Sequence, residues 1–297
     1  MIAMTPVPTV SEAWLTSIEA TAAAPGGRVV HLVTTVTAPG SEVPEVRDVV
    51  NGRLERAGMQ SVDTVAETIF PSSLYPDPGI DWTAALDADG VAVLDGAAAD
   101  LYTAYEDILP LLRTVHANRS GTYFSRMITW PGKEPGGTNQ LQLRIDGLRA
   151  QQRAGRRRNN TLDIDLAADS LAGGRDWATD GLQVYAVGDR RPRGFPCLTH
   201  IDLTLHEGRL HCTAVYRHQY LVEKAYGNLM GLSALLQFLC QQTGHAVGEL
   251  CVHATLADAE LSEGAWVHEL ARDARDALTV AHKADAAAKT ASVAAAR

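Results

Sequence analysis

Polar and apolar positions alternate most clearly in the second half of the chain, where Thr199 to Leu205 and Arg209 to Tyr216 each read as a half-buried strand. The connection His206-Glu207-Gly208 is short and holds a glycine, which predicts a β-hairpin. Tyr226 to Thr243 is apolar almost all round, the pattern of a buried helix, and Gly244 is placed to cap its end. Val247 to Ala254 predicts a further strand. In the first half, Ser11 to Ala23 has helical spacing and is stopped by Pro25-Gly26-Gly27. Arg28 to Thr37 is rich in β-branched residues and predicts a strand, and Val43 to Ala57 predicts a helix ending at Gly58. Periodicity does not decide between helix and strand for Ser61 to Ile69. Pro71 to Asp89 reads as loop, and Ala97 to Val115 as a helix that Pro110 kinks or splits. Thr122 to Trp130 reads as a short aromatic strand or loop. Asn139 to Ala154 has amphipathic spacing, and Thr161 to Leu166 and Leu182 to Val187 alternate as strands do. From Ser262 the chain is Ala-rich and helical in propensity, with an end expected to fray. The expectation is an α/β fold: one domain over residues 1–261, then a helical tail over 262–297.

Composition narrows the classes of function. A hydrophobic content of 46% and a charged content of 21% fit a globular chain that buries a core without disulfide or metal staples. The formal charge of −9 argues against coating a nucleic-acid polymer, yet leaves room for one cationic pocket. No apolar run approaches the roughly 18–20 residues a membrane span needs, and Met1 to Val10 lacks the pattern of a signal peptide. Cys197, Cys212, Cys240 and Cys251 lie far apart with no C-x-x-C, so neither a zinc site nor a disulfide framework is expected. A reducing cytoplasm is the simplest setting. H-E-x-x-H, P-loop and G-x-S-x-G motifs are all lacking.

Candidate chemistry gathers in the second half. Cys197 follows Pro196 where a turn enters a strand, Arg217 comes after the second hairpin strand, and Asn228 lies near the start of the buried helix. A further strand returns near Gly248. From about Phe195 to Glu260 this order and spacing resembles the nucleotide-binding half of a thymidylate synthase, with Cys197 in the place of the nucleophile. Weaker matches precede it. Ser120-Gly121-Thr122-Tyr123 with Trp130 resembles the family's Gly-Pro-x-Tyr-Gly…Trp segment, with the glycine displaced by one position. The helix from Asn139-Gln140 and the run Arg156-Arg157-Arg158 resemble its Asp-Gln helix and arginine pair. Arg190 and Arg191 are rivals for that pair, and Glu67 stands where order along the chain would put the catalytic glutamate.

The resemblance implies a mixed sheet covered by helices, with a homodimer formed sheet to sheet. It also implies C5 methylation or hydroxymethylation of a pyrimidine nucleotide, with 5,10-methylenetetrahydrofolate as one-carbon donor. The catalytic set would be Cys197, Glu67 and Tyr123. Arg217, Asn228 and the partner subunit's Arg156 and Arg157 would bind substrate, and His218 joins them as a candidate because it adjoins Arg217. A thiolate adds at C6 to make C5 nucleophilic; a guanidinium beside it favours the thiolate, and arginine also grips phosphate in bidentate fashion. An asparagine amide offers a donor and an acceptor to the O4 and N3–H edge of uracil.

Departures from the family are equally specific. Leu198 replaces a histidine, Tyr216 a glutamine, His218 a serine and Tyr220 an aspartate. Asp258 and Glu260 stand where a histidine and a tyrosine would bond the sugar, and the Ala-rich tail has no folate-closing segment. A non-catalytic nucleotide- or protein-binding member of the same fold is therefore the rival expectation. Blander roles compete at single positions: Cys212, Cys240 and Cys251 as small buried hydrophobes, Glu67 as a solvated carboxylate, and Asn228 as a helix-start residue.

Overall fold

The computed structural model describes residues 1–80, 86–115, 118, 121–130, 137–153, 182–183, 196–263 and 266–295. Its centre is a seven-stranded mixed sheet in the order β1-β2-β7-β5-β4-β3. These strands are β1 (Ile2–Ala3), β2 (Arg28–Val36), β3 (Leu182–Gln183), β4 (Leu198–His206), β5 (Arg209–Tyr216) and β7 (Ala246–Asp258), with β6 (Gln219–Tyr220) pairing beside β7. β4 and β5 form the expected hairpin. Glu207 and Gly208 both take positive φ, 50° and 79°, as a two-residue turn matched to strand twist demands. β5 and β6 both run parallel to β7, but the ladder is interrupted at Arg217 and His218. The candidate site lies at that interruption.

Helices α1 (Val10–Ala22) and α7 (Tyr226–Thr243) cover one face of the sheet. Under them lie alternate strand residues such as Leu32, Val36, Ala214, Tyr216, Leu250 and Val252, all buried. Thr34 belongs to the same face, where its hydroxyl meets that of Ser17 on α1 at 2.8 Å. On the opposite face Val33, Thr35, Thr213, Val215, Cys251 and His253 are only half-buried. α7 spans the predicted residues and is capped by Gly244 at φ 70°. A π-helical turn, Leu221–Ala225, leads into it.

The ambiguous segment is a helix, α3 (Val62–Glu67), with Ser61 accepting from the Thr64 N–H as its cap. It crosses α7 at glycines: a Cβ at Gly227 would stand 2.5 Å from Val65 Cβ, and one at Gly231 2.6 Å from the Ala66 carbonyl oxygen. Only hydrogen at both positions allows this approach. The remaining helices are α2 (Pro44–Arg56), α4 (Ala88–Leu112), α5 (Tyr123–Ile128), α6 (Gln140–Arg153) and α8 (Trp266–Ala295).

Several expectations need correction. Thr122 to Trp130 is mainly the helix α5, not a strand or loop. Thr122 accepts from the Ser125 N–H as N-cap, and burial of Phe124, Met127 and Ile128 outweighs the β preference of Phe124 and Ile128. α4 starts nine residues before the expected Ala97, capped by Asp87, and runs through Pro110 in its last turn. β7 extends four residues beyond Ala254. In α8, Val267, Leu270, Ala274 and Leu278 are buried in the core, while residues 282–292 are exposed. The Thr161–Leu166 strand lies outside the described residues. Among the described residues no helix is long and apolar enough to cross a membrane.

Candidate active site

A cavity of about 260 Å³ opens at the interrupted edge of the ladder. One wall is helical: Gln60, Val65 and Thr68 come from α3 and its flanks, and Gly121, Thr122, Tyr123 and Arg126 from α5 and its approach. The Phe124 N–H donates to the Thr68 carbonyl at 3.0 Å and ties α5 to the end of α3. The other wall consists of Pro196, Cys197, His218, Tyr220, Lys224 and Asn228.

Cys197 precedes β4, and its backbone is held by two groups. The Arg217 N–H donates to the Cys197 carbonyl at 2.8 Å. The N–H groups of Cys197 and Leu198 donate to the Tyr123 hydroxyl at 3.3 and 3.4 Å. A Tyr123 hydroxyl that accepts twice keeps its own proton for a third group. Burial, then the nearby Cys197, push the phenol up to about 12, so Tyr123 is a proton donor near neutral pH. The Cys197 thiol is also pushed above its ordinary value, by burial first; the Arg217 guanidinium pulls the other way and does not prevail. The expected lowering of the thiol by Arg217 is therefore corrected: the pull exists, but desolvation outweighs it.

Arg217 is corrected in a second respect. Its Nη2 donates to the Pro196 carbonyl at 3.1 Å, which clips the turn carrying Cys197, and its side chain is not part of the cavity lining. Glu67 does not line the cavity either. Its carboxylate accepts from the Ser73 N–H at 3.2 Å and hydroxyl at 2.8 Å, closing the turn after α3. Arg156 and Arg157, with Arg158, Arg190 and Arg191, lie outside the described residues.

Asn228 is 4% exposed and lines the cavity. It is the third residue of α7 but not its cap: Ala225 holds the N-cap position, and the turn ahead of it is capped by a carboxylate from just beyond β7. That carboxylate is Glu260, at φ 55°, which accepts from the Val222 N–H at 2.6 Å and the Glu223 N–H at 3.2 Å. Burial raises Glu260 to about 7 despite these two bonds. Asp258 accepts from Arg28 Nε at 2.8 Å and from the Glu260 N–H at 2.8 Å. The two acids at the expected sugar positions thus serve the fold, and neither lines the cavity.

His218 does line it, with its ring 4.3 Å from that of Tyr220 and Nε2 3.7 Å from Asp258 Oδ2. Cys212 and Cys240 are buried, with thiols pushed up by burial, and lie away from the cavity lining.

No protein-family model matches the chain, and no curated protein is significantly similar to it.

The cavity residues that escaped sequence reasoning include Gln60, Thr68, Arg126 and Lys224. Arg126 lay in a segment read as strand, and the i, i+3 spacing of Tyr123 and Arg126 becomes informative only once α5 is a helix. Lys224 lay four residues before Asn228, a signal that was available. Among the described residues no group of three or more His, Cys, Asp or Glu side chains is placed to hold a metal ion.

Proposed function

We propose that the cavity binds a pyrimidine nucleotide and that Cys197 adds to C6 of its ring, activating C5 for one-carbon substitution. The observation that carries this reading is the convergence of Cys197, Tyr123, Asn228 and His218, from four separate segments, on one cavity. In the reaction the Sγ–C6 bond forms as the thiol proton leaves, and the electron pair of C5=C6 moves to C5 and the C4 carbonyl. C5 then attacks the carbon of a C=N or C=O group on the one-carbon carrier, whose π electron pair passes to the nitrogen or oxygen. Loss of the C5 proton and expulsion of Sγ restore the ring double bond. His218 is placed to receive a proton. Tyr123 keeps a donor for the ligand. Asn228 makes no side-chain hydrogen bond among the described residues, which leaves its amide for the base edge.

α8 packs on α1 and α2, and none of its described residues lines the cavity. The donor of the carbon unit is left as a chemical class, an electrophilic one-carbon carrier. The half-buried sheet face bearing Val33, Thr35, Val215 and Cys251 supports a sheet-to-sheet homodimer. Sedimentation as a monomer at micromolar concentration would count against it.

A second reading, nucleotide binding without turnover, is favoured by the raised Cys197 thiol. Intact mass after incubation with 5-fluoro-2′-deoxyuridine monophosphate, with and without methylenetetrahydrofolate, separates the two. An adduct at Cys197 supports the enzyme; affinity without an adduct supports the binder. The base assignment has its own test. Asn228→Asp should weaken uridine monophosphate binding and shift preference toward cytidine monophosphate, by roughly 1–3 kcal/mol for one lost buried hydrogen bond. An unchanged preference in calorimetry would remove Asn228 from base recognition.

A further inference from the structure

The geometry points to Arg126 and Lys224, not Arg217, as the groups that hold the ligand's phosphate. This inference rests on the cavity being a nucleotide site. The chain carries 35 Asp and Glu against 26 Lys and Arg. The described lining of the cavity nevertheless contains Arg126, Lys224 and His218, and no carboxylate. Two permanent cations, Arg126 and Lys224, with no carboxylate in the described lining of an acidic protein favour an anionic ligand there.

The two cations come from different elements. Arg126 is on α5, one turn from Tyr123 and only 1% exposed, so its charge acts through a low-dielectric surrounding. Its guanidinium offers a planar set of donors matched to phosphate oxygens. Lys224 belongs to the π-helical turn before α7. Its Nζ donates to Gln60 Oε1 at 2.8 Å and lies 3.9 Å from Glu223 Oε2, with the side chain about one-third exposed. One of its three protons is used on Gln60, which aims the ammonium across the gap between the helical wall and the turn. Arg217 cannot take the same part from its present position, because it clips Pro196 and stays out of the lining. The ligand class is a phosphate monoester whose ring lies toward Asn228 and Cys197.

The test is calorimetry on the full chain with uridine, uridine monophosphate, adenosine monophosphate and inorganic phosphate. The proteins are wild type, Arg126→Met, Arg126→Lys, Lys224→Met and Arg217→Met. Arg126→Lys keeps a charge at the buried position and serves if Arg126→Met does not fold. The monophosphate should bind at least about tenfold more tightly than uridine, and Lys224→Met or Arg126→Met should remove most of that advantage while Arg217→Met keeps it. Arg126→Lys should keep part of it. Equal binding of uridine and its monophosphate overturns the inference, as does loss of the advantage in Arg217→Met alone. Failure of every phosphate-bearing probe to bind overturns it too. The nucleotide reading fails separately. If adenosine and uridine monophosphates bind alike and both depend on Lys224, the clamp stands and the pyrimidine assignment falls. If uracil is preferred with no phosphate advantage, the assignment stands and the clamp falls.

Discussion

The two walls of the cavity differ in how they are made. The strand wall, from Pro196 to Asn228, is one continuous stretch: a turn, a hairpin, a short strand and the first turns of α7. The helical wall is assembled from Gln60, the α3 residues and α5, which are joined through the long α4. In the strand wall the order of residues along the chain already sets which groups are near each other. In the helical wall nothing local brings Thr68 to Tyr123; the Phe124 N–H bond to Thr68 and the packing of α3 on α7 do so. The Cys197 thiol therefore sits on the wall whose residue order is set along the chain. The phenol that steadies its backbone sits on the wall that packing must build.

The sharpest way to break this contrast is to remove the thiol. Cys197→Ala should abolish release of the C5 hydrogen from a 5-tritiated pyrimidine nucleotide while leaving the melting temperature nearly unchanged. Cys240→Ala should retain the activity per folded molecule. Activity surviving in the first and vanishing in the second would move the chemistry elsewhere.

The joint between the walls is next in size. Gly227→Ala places a methyl 2.5 Å from Val65 Cβ and 2.6 Å from the Val62 carbonyl, so α3 has to move away from α7. Overpacking of this kind costs about 1–3 kcal/mol in urea unfolding. It should also weaken nucleotide binding, since Val65 and Thr68 move with α3. A variant as stable as wild type, with unchanged affinity, would show that the walls do not depend on that crossing.

Glu260 sharpens the contrast from the strand side. Its folded pKa is about 7 against an ordinary 4.5, so burial holds it protonated where the unfolded chain would ionise it. Its stabilising contribution is fully present below the unfolded value and is lost as pH rises through about 7. Wild-type stability should therefore carry a component that declines between pH 5 and pH 8, on the order of 2 kcal/mol or less. Glu260→Gln, a permanent mimic of the protonated form, should flatten it. The same slope in both proteins would assign the pH dependence to other groups.

Arg217 gives the smallest effect. Because its charge pulls the Cys197 thiol down against the stronger effect of burial, Arg217→Gln should raise the pH midpoint of Cys197 alkylation by iodoacetamide. A midpoint that falls would mean that loosening the Pro196 clip matters more than the lost charge.

Much of the fold was legible because periodic patterns there agree with the final environment. The β4–β5 hairpin, α1, α2 and α7 fall within a residue or two of their predicted spans. The order of Cys197, Arg217 and Asn228 was legible as well, since all three lie on that well-patterned stretch. Other features were not. α5 has only six residues, too few for a period to show, and its aromatic content imitates a strand. Glu67 ends α3, which borders the cavity, but its carboxylate turns to Ser73, a choice of side-chain direction that order along the chain does not encode.

Sequence by itself determined the sheet-forming and helical segments of the second half, the glycine turns, and the placement of a cysteine ahead of a strand. These follow from side-chain period, backbone permissiveness at glycine and chain continuity, all of them local. Tertiary structure decided which charges face the cavity, that Arg217 holds the turn while Arg126 and Lys224 line the space, and that burial outweighs Arg217 at the thiol. Those outcomes depend on desolvation and on contacts between distant segments, and both exist only after the walls have closed on each other.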